Sequence, residues 1–251
     1  MTDGRLDLLG VPLDPRTRQE SVDAIDVLLA CETGCAHVVT LNPEYVMAAR
    51  RKPSFAAAIE RADLVLADGA GVVFAARLLG GAAGKRTQRL TGVEIVEHLA
   101  QRGVSVFFLG AGPGVAEAAA NQLGGRWPTS RVVGVWADAT SDPPDDDESN
   151  RRIAASGARA VAVAFGAEGQ VTWIDRNRDR LDAAGVRLAV GVGGSFDYLS
   201  GLAKRPPKLV RDLGLEWLWR LVREPWRWRR QLVLPKFALL VLGARLRQGA
   251  R

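Results

Sequence analysis

Val104-Ser-Val-Phe-Phe-Leu109 followed by Gly110-Ala-Gly-Pro-Gly114 and then by a helical pattern from Val115 is the stretch that decides the fold. Five of the first six residues are apolar, without strict alternation, the mark of a strand covered on both faces. Glycines close it and a helix opens directly afterwards. Such a turn lets backbone N–H groups approach an anion at a helix N-terminus, so Gly110 and Gly112 are candidate phosphate contacts. It is not a dinucleotide fingerprint, because Val115 stands where a third glycine belongs. A bare strand-turn-helix link is the plainer reading of the same residues.

The same alternation runs outward in both directions. Apolar runs at residues 36–41, 64–67, 131–136, 160–165 and 186–192 read as strands. Helical patterns occupy 44–60, 92–102, 115–123 and 171–182, and a helix ends over 150–156. Strands separated by helices predict an α/β fold: a Rossmann-like, mostly parallel sheet with helices on both faces. The acidic stretch at 142–150, DPPDDDESN, reads as a solvated loop. A metal-binding Asp-x-Asp pair is the alternative; its prolines and the missing strand before it argue against that.

Composition then divides the chain. Residues 204–251 hold 13 Lys/Arg and 3 Asp/Glu, about +10, against +6 for all 251 residues, so residues 1–203 carry about −4. Four of the seven tryptophans, Trp217, Trp219, Trp226 and Trp228, are also in that tail. Arg220, Arg223, Arg227 and Arg230 recur at helical spacing, and Pro225 predicts two helices meeting there. Guanidinium groups meet phosphates while indoles settle at headgroup level, so the expected partner is an anionic membrane surface. We expect a catalytic domain over 1–203 and, over 204–251, a basic helical appendage that binds membrane and completes the site. Packing of this tail on the domain with a solvated basic side is the competing reading. The N-terminus has no apolar signal core and no segment reaches the roughly 20 apolar residues of a spanning helix, which predicts a cytoplasmic, peripheral protein. Residues 232–242 come nearest and are interrupted by Pro235 and Lys236. Cys31 and Cys35 with His37 fall short of a zinc ligand set and read as small apolar residues near a helix end. No metal or other cofactor is expected.

Ligands of open parallel sheets bind beyond the carboxyl ends of strands. Thr40 and Asn42 close the first strong strand, Asp68 the next, and Gly193, Gly194 and Asp197 the last. Gln170 follows the strand at 160–165. Asp68 before Gly-Ala-Gly is either a helix cap or a catalytic base. Asn42 is either a turn former or a donor to a sugar hydroxyl. Residues 85–94, KRTQRLTGVE, offer cations before a helix, with Thr91 as N-cap and Glu94 as its capping-box partner.

Assembled, Thr40-Leu-Asn-Pro-Glu-Tyr45, Asp63-Leu-Val-Leu-Ala-Asp-Gly69, Arg89-Leu-Thr-Gly92, Val190-Gly-Val-Gly-Gly-Ser-Phe-Asp197, Gly201-Leu-Ala-Lys-Arg-Pro206, Gly214-Leu-Glu-Trp-Leu-Trp-Arg-Leu221 and Glu224-Pro225 resemble the WecG/TagA/CpsF glycosyltransferase family, from about Leu6 to Phe237. The resemblance implies an inverting, metal-independent transfer of a hexose from a UDP-sugar to a polyprenyl-diphosphate-linked sugar. The setting is cell-surface polysaccharide synthesis on the inner face of the bacterial plasma membrane. N-acetylmannosamine, its uronic acid and glucose are among the implied donors. Asp68 matches the family's base, Thr40 and Asn42 its Thr and Asn, Arg89 its Arg before Thr-Gly, and Gln170 its Gln. Arg205, Arg211, Arg220 and Arg223 would face the diphosphate. Two departures stand out. The Pro-Lys-Gln-Glu signature is here Glu168-Gly169-Gln170-Val171, and the Gly-Tyr expected after residue 134 is not evident, which leaves Trp136 as a candidate for the uracil face.

Two other classes compete. A nicotinamide oxidoreductase lacks its glycine fingerprint and its acidic ribose partner. A nucleic-acid binder would use the basic tail, but nothing else resembles such a module, so no nucleic-acid partner is expected. Oligomeric state is left open.

Overall fold

The protein is described from a computed structural model that covers residues 4–137, 146–204, 207, 210, 216–223 and 232–249. A short antiparallel pair, β1 (Leu6–Asp7) and β2 (Pro12–Leu13), precedes α1 (Arg18–Ala30). Then come β3 (Ala36–Leu41), α2 (Pro43–Ala49), α3 (Pro53–Glu60), β4 (Leu64–Ala67), α4 (Ala70–Leu79), α5 (Gly81–Arg86) and α6 (Gly92–Gln101). The second half holds β5 (Ser105–Gly110), α7 (Val115–Arg126), β6 (Arg131–Trp136), α8 (Asp146–Ser156), β7 (Ala160–Ala164), α9 (Ala167–Ala183), β8 (Leu188–Gly191) and α10 (Ser195–Leu199). Two tail helices follow, α11 (Glu216–Arg223) and α12 (Val233–Gly249).

Six strands form one sheet in the order β4-β3-β8-β7-β5-β6, with every pairing parallel. The expected α/β architecture is therefore present. Helices cover both faces, which is why the central strands are apolar throughout. On one face Val38, Leu66, Phe108 and Val190 meet α1, α6, α7 and α10, with Phe108 stacked on Phe196 at 4.4 Å between ring centroids. On the other, Val39, Leu41 and Val65 meet α2, α3 and α4, while Phe107, Val161 and Ala189 meet α8 and α9. The outer edge of β4 is sealed by backbone bonds: Asp14 N–H donates to Val65 O and Leu90 N–H to Ala67 O, each at 2.9 Å. That leaves less open edge for another chain to pair with.

Two local expectations are corrected. The helix expected over 44–60 is two helices, because Pro53 opens α3 at its first turn and disfavours helical backbone at Lys52. The acidic stretch is not a loop from Asp146 onward. Asp146, Asp147 and Glu148 form the first turn of α8, where carboxylates favour the positive helix end; residues 142–145 lie outside the described ones. Asp146 receives two hydrogen bonds from Arg176, at 2.7 and 2.8 Å. Burial raises the pKa of Asp146, but its hydrogen-bond partners, Arg176 foremost, outweigh that and hold the carboxyl below its ordinary value. Pro235, which interrupts the apolar run at 232–242, falls in the first turn of α12, where a missing N–H costs nothing and the helix continues.

The last helix is bound to the domain. Phe237 and Val241 of α12 are buried in the cluster that holds α2 and α4. Burial of such side chains is worth about 1.5–3 kcal/mol each. Leu239, Leu242 and Leu246 lie exposed on the same helix. Among the described residues no helix is long and apolar enough to cross a membrane.

Candidate active site

Parallel pairing brings the exits of β3, β4, β5, β7 and β8 to one edge of the sheet. Sequence order reverses there. The chain leaves β5 outward to β6 but leaves β7 inward to β8, so the exits of β5 and β7 form a switch point, the place where open parallel sheets bind ligands. Gly110 lies there with φ 91°, and a Cβ on it would come within 2.8 Å of the Ala164 carbonyl oxygen and of the Phe165 ring. Next to it Ala111 has φ 71°. A non-glycine residue held in this region costs on the order of 1–3 kcal/mol and is concentrated at functional sites. Gly114, at φ 74°, then opens α7. Gly110 and Gly112 thus sit at a strand exit and a helix start, as a phosphate cradle requires.

The other expected residues gather at β4, β3 and β8. Asp68 follows β4 directly, half-buried, and its N–H donates to Leu41 O at 2.9 Å. Gly69 behind it admits no side chain comfortably, since a Cβ would lie 3.2 Å from Pro43 Cδ. The Leu90–Ala67 backbone bond sets Arg89 beside this exit. Thr91 caps α6 and Glu94 closes the capping box, as expected. Arg18 holds Glu94 from α1 at 2.6 Å, which ties the Arg89 segment down from outside. Gly92 packs against β8: a Cβ would meet Ser195 Oγ at 2.7 Å and Val192 Cα at 3.0 Å. Asn42 spends Oδ1 on capping α2, accepting from Tyr45 N–H at 3.1 Å, so its Nδ2 is the end that can donate elsewhere. Thr40 is buried and its hydroxyl donates to Gly191 O at 2.9 Å.

Gln170 is placed differently from a surface ligand contact. It is 1% exposed, its Nε2 donates to the Tyr45 hydroxyl, and its Oε1 accepts from Gly193 N–H at 2.9 Å. Tyr45 ends the Thr40–Tyr45 pattern, and nothing in the sequence relates it to a residue 125 positions away. Gly194 opens α10, and Asp197 stands half-buried within it, its carbonyl accepting from Ala203 N–H at 2.8 Å. Between α2, the β7–α9 turn and the start of α12 lies an open cleft of about 580 Å³, lined by Glu44, Arg51, Phe165, Gly166, Glu168 and Val233. Lys52 pairs with Glu168 at its rim.

The tail is covered only in part. Arg205, Arg211 and the side chain of Arg220 lie outside the described residues, as do Pro225 and Arg227 to Arg230. Arg223 is exposed, with its guanidinium 4.7 Å from the Trp219 ring centroid. Trp136 does not offer an open ring face on both sides: Arg152 covers one at 5.2 Å. Among the described residues no three of His, Cys, Asp and Glu gather where they could hold a metal ion.

Over residues 6–251 the chain matches the glycosyl transferase WecG/TagA/CpsF family. An N-acetylglucosaminyldiphosphoundecaprenol N-acetyl-beta-D-mannosaminyltransferase of Bacillus spizizenii is 35% identical over 212 residues, 82% of this chain and 79% of the relative. A protein of the same name from Bacillus subtilis is 31% identical over 213 residues, with the same coverage of each chain. A match running nearly from end to end, on a parallel sheet whose exits carry Thr40, Asn42, Asp68 and Arg89, means that this chain belongs to the WecG/TagA/CpsF family of glycosyltransferases.

Proposed function

We propose that the protein transfers an N-acetylmannosamine-type hexose from a UDP-sugar to a hydroxyl of a polyprenyl-diphosphate-linked N-acetylglucosamine, in the synthesis of a cell-surface polymer. The observation that carries this reading is Asp68. It is a half-buried carboxylate at a strand exit, with Asn42 just past the end of the neighbouring strand and the Arg89 backbone alongside. In the proposed reaction Asp68 takes the proton of the acceptor hydroxyl as its oxygen attacks the anomeric carbon. The bond to the UDP oxygen breaks on the opposite side, and the configuration inverts. Asn42 Nδ2 orients the hydroxyl. Arg89 and the tail arginines neutralise the leaving diphosphate, aided by the Gly110–Gly114 turn. The relatives' names supply the sugar and the acceptor. The basic, tryptophan-rich tail supplies the reason for docking on an anionic membrane, where such an acceptor resides.

The test is transfer of radiolabelled N-acetylmannosamine from its UDP ester to a synthetic polyprenyl-diphosphate N-acetylglucosamine. Asp68→Asn should fold normally and lose about 10²–10⁴ of the turnover, the usual worth of a general base. Near-normal turnover in that variant removes Asp68 from the role. Transfer of other hexoses in preference would change the donor but leave the reaction class standing.

A further inference from the structure

We infer that Gln170 and Tyr45 are positioning residues: together they fix the turn after β8 against the start of α2, and Gln170 acts on the sugar only through them. The inference rests on the glycosyl-transfer reading above. Gln170 leaves α9 and enters the core under the site. Gly193 N–H needs an acceptor, so the oxygen of the Gln170 amide faces Gly193 and the nitrogen faces Tyr45. The Tyr45 oxygen accepts from that nitrogen, which turns its own proton away from Gln170. Both ends of the amide are therefore in use within a buried space. Recruiting the oxygen end to a substrate would first strand Gly193 N–H, at about 1–3 kcal/mol for an unsatisfied buried group, and recruiting the nitrogen end would break the bond to the tyrosine.

Two further bonds support this frame. Tyr45 N–H donates to Asn42 Oδ1 and Thr40 Oγ1 donates to Gly191 O, at 3.1 and 2.9 Å. Bonds through Tyr45, Gln170 and Thr40 thus link Asn42 to the Gly191–Gly193 turn, beside the Val192 N–H bond that ties the same turn to Val163 O. Gly191 completes the device: a Cβ there would come within 2.6 Å of Gln170 Nε2, so the amide occupies the space of the missing side chain. What this frame fixes is the separation between the group that orients the acceptor and the glycine turn opposite. Displacing such a geometry by about 1 Å can cost on the order of 10² in rate without touching a ligand.

Tyr45→Phe is the sharpest probe, because it removes one oxygen and keeps the ring. We expect it to lower kcat about tenfold with the donor KM changed by less than about twofold, the pattern of a group that acts only on the transition-state geometry. Gln170→Met should do the same, and the double variant should be no slower than the slower single one. Gln170→Glu should recover part of the loss, since a carboxylate can accept from Gly193 N–H and from the Tyr45 hydroxyl together. A Tyr45→Phe enzyme with wild-type kcat overturns the inference, as does a Gln170→Met enzyme whose defect is confined to KM. Hydrogen exchange of the Gly193 amide reports the frame without any turnover: it should quicken in Tyr45→Phe, and unchanged exchange also overturns the inference. If the wild-type protein transfers no sugar, the parent reading has failed, and the amide exchange still decides the frame.

Discussion

The Thr40 hydroxyl donates to the Gly191 carbonyl across the carboxyl ends of β3 and β8 at 2.9 Å, and Thr40 is 4% exposed. These strands carry the first and last exits of the sheet, so this bond spans the point where the Asn42 turn and the Gly191–Gly193 turn meet. We propose that Thr40 contributes to the site through the backbone it holds. Thr40→Val keeps the shape and β-branching and removes only the donor. It should lower stability by about 1–2 kcal/mol in urea unfolding and reduce kcat more than KM. Thr40→Ser, which retains the hydroxyl, should restore most of the rate. Equal rates for the Val and Ser variants would assign Thr40 to packing alone.

The tail helix α12 has two unlike faces. Phe237 and Val241 are 4% and 1% exposed against the domain, whereas Leu239, Leu242 and Leu246 are 70%, 49% and 75% exposed. Replacing the three leucines by serine should leave thermal unfolding nearly unchanged and weaken co-sedimentation with anionic vesicles on the order of tenfold. Phe237→Ala should do the reverse, costing about 3–5 kcal/mol of stability by opening a cavity. Unchanged vesicle binding in the triple serine variant would remove α12 from the membrane contact and leave that role to the arginine and tryptophan segment before it.

Much of this arrangement is legible in the chain because its signals are local. Residues 36–41, 64–67 and 131–136 coincide with strands since a two-sided sheet demands unbroken apolar runs. Thr91 and Glu94 announce their capping box three residues apart. What stayed hidden depends on topology. Gln170 and Tyr45 meet only because α2 and α9 pack on the same face of the sheet. The left-handed backbone of Ala111 follows from the close approach of Gly110 to Ala164, a contact between strands 54 positions apart in register. The break at Pro53 was local too, but periodicity continued across it and outweighed the proline.

The two cysteines have opposite surroundings, which separates them chemically. Cys31 ends α1 and is exposed; Cys35 is buried, and burial pushes its thiol up to about 12. The thiolate is the reactive species, so at pH 8 Cys35 is inert and Cys31 reacts. A maleimide should modify one thiol per folded chain and two in denaturant, and Cys31→Ser should leave none in the native state. Rapid modification of both native thiols would contradict the packing around Cys35.

His37 on β3 gives the fold a pH limit. It is 1% exposed and neither ring nitrogen has a hydrogen-bond partner. Burial lowers its pKa to about 4, with Asp175 and Asp63 raising it and Arg178 and Arg61 lowering it by smaller amounts. In the unfolded chain the ring titrates near 6.5. Between those values the unfolded state binds a proton that the native state refuses, so stability falls as the pH drops through this window and is fully present above it. A depression of this size corresponds to about 3 kcal/mol, lost progressively from about pH 6.5 to about pH 4. His37→Leu supplies a neutral apolar side chain in place of the ring. It should flatten the urea midpoint over that window and match or exceed the wild-type stability at pH 5, while at pH 8 the two differ only by packing. A wild-type midpoint that stays level from pH 7 to pH 5 would show that the ring accepts its proton in the folded state.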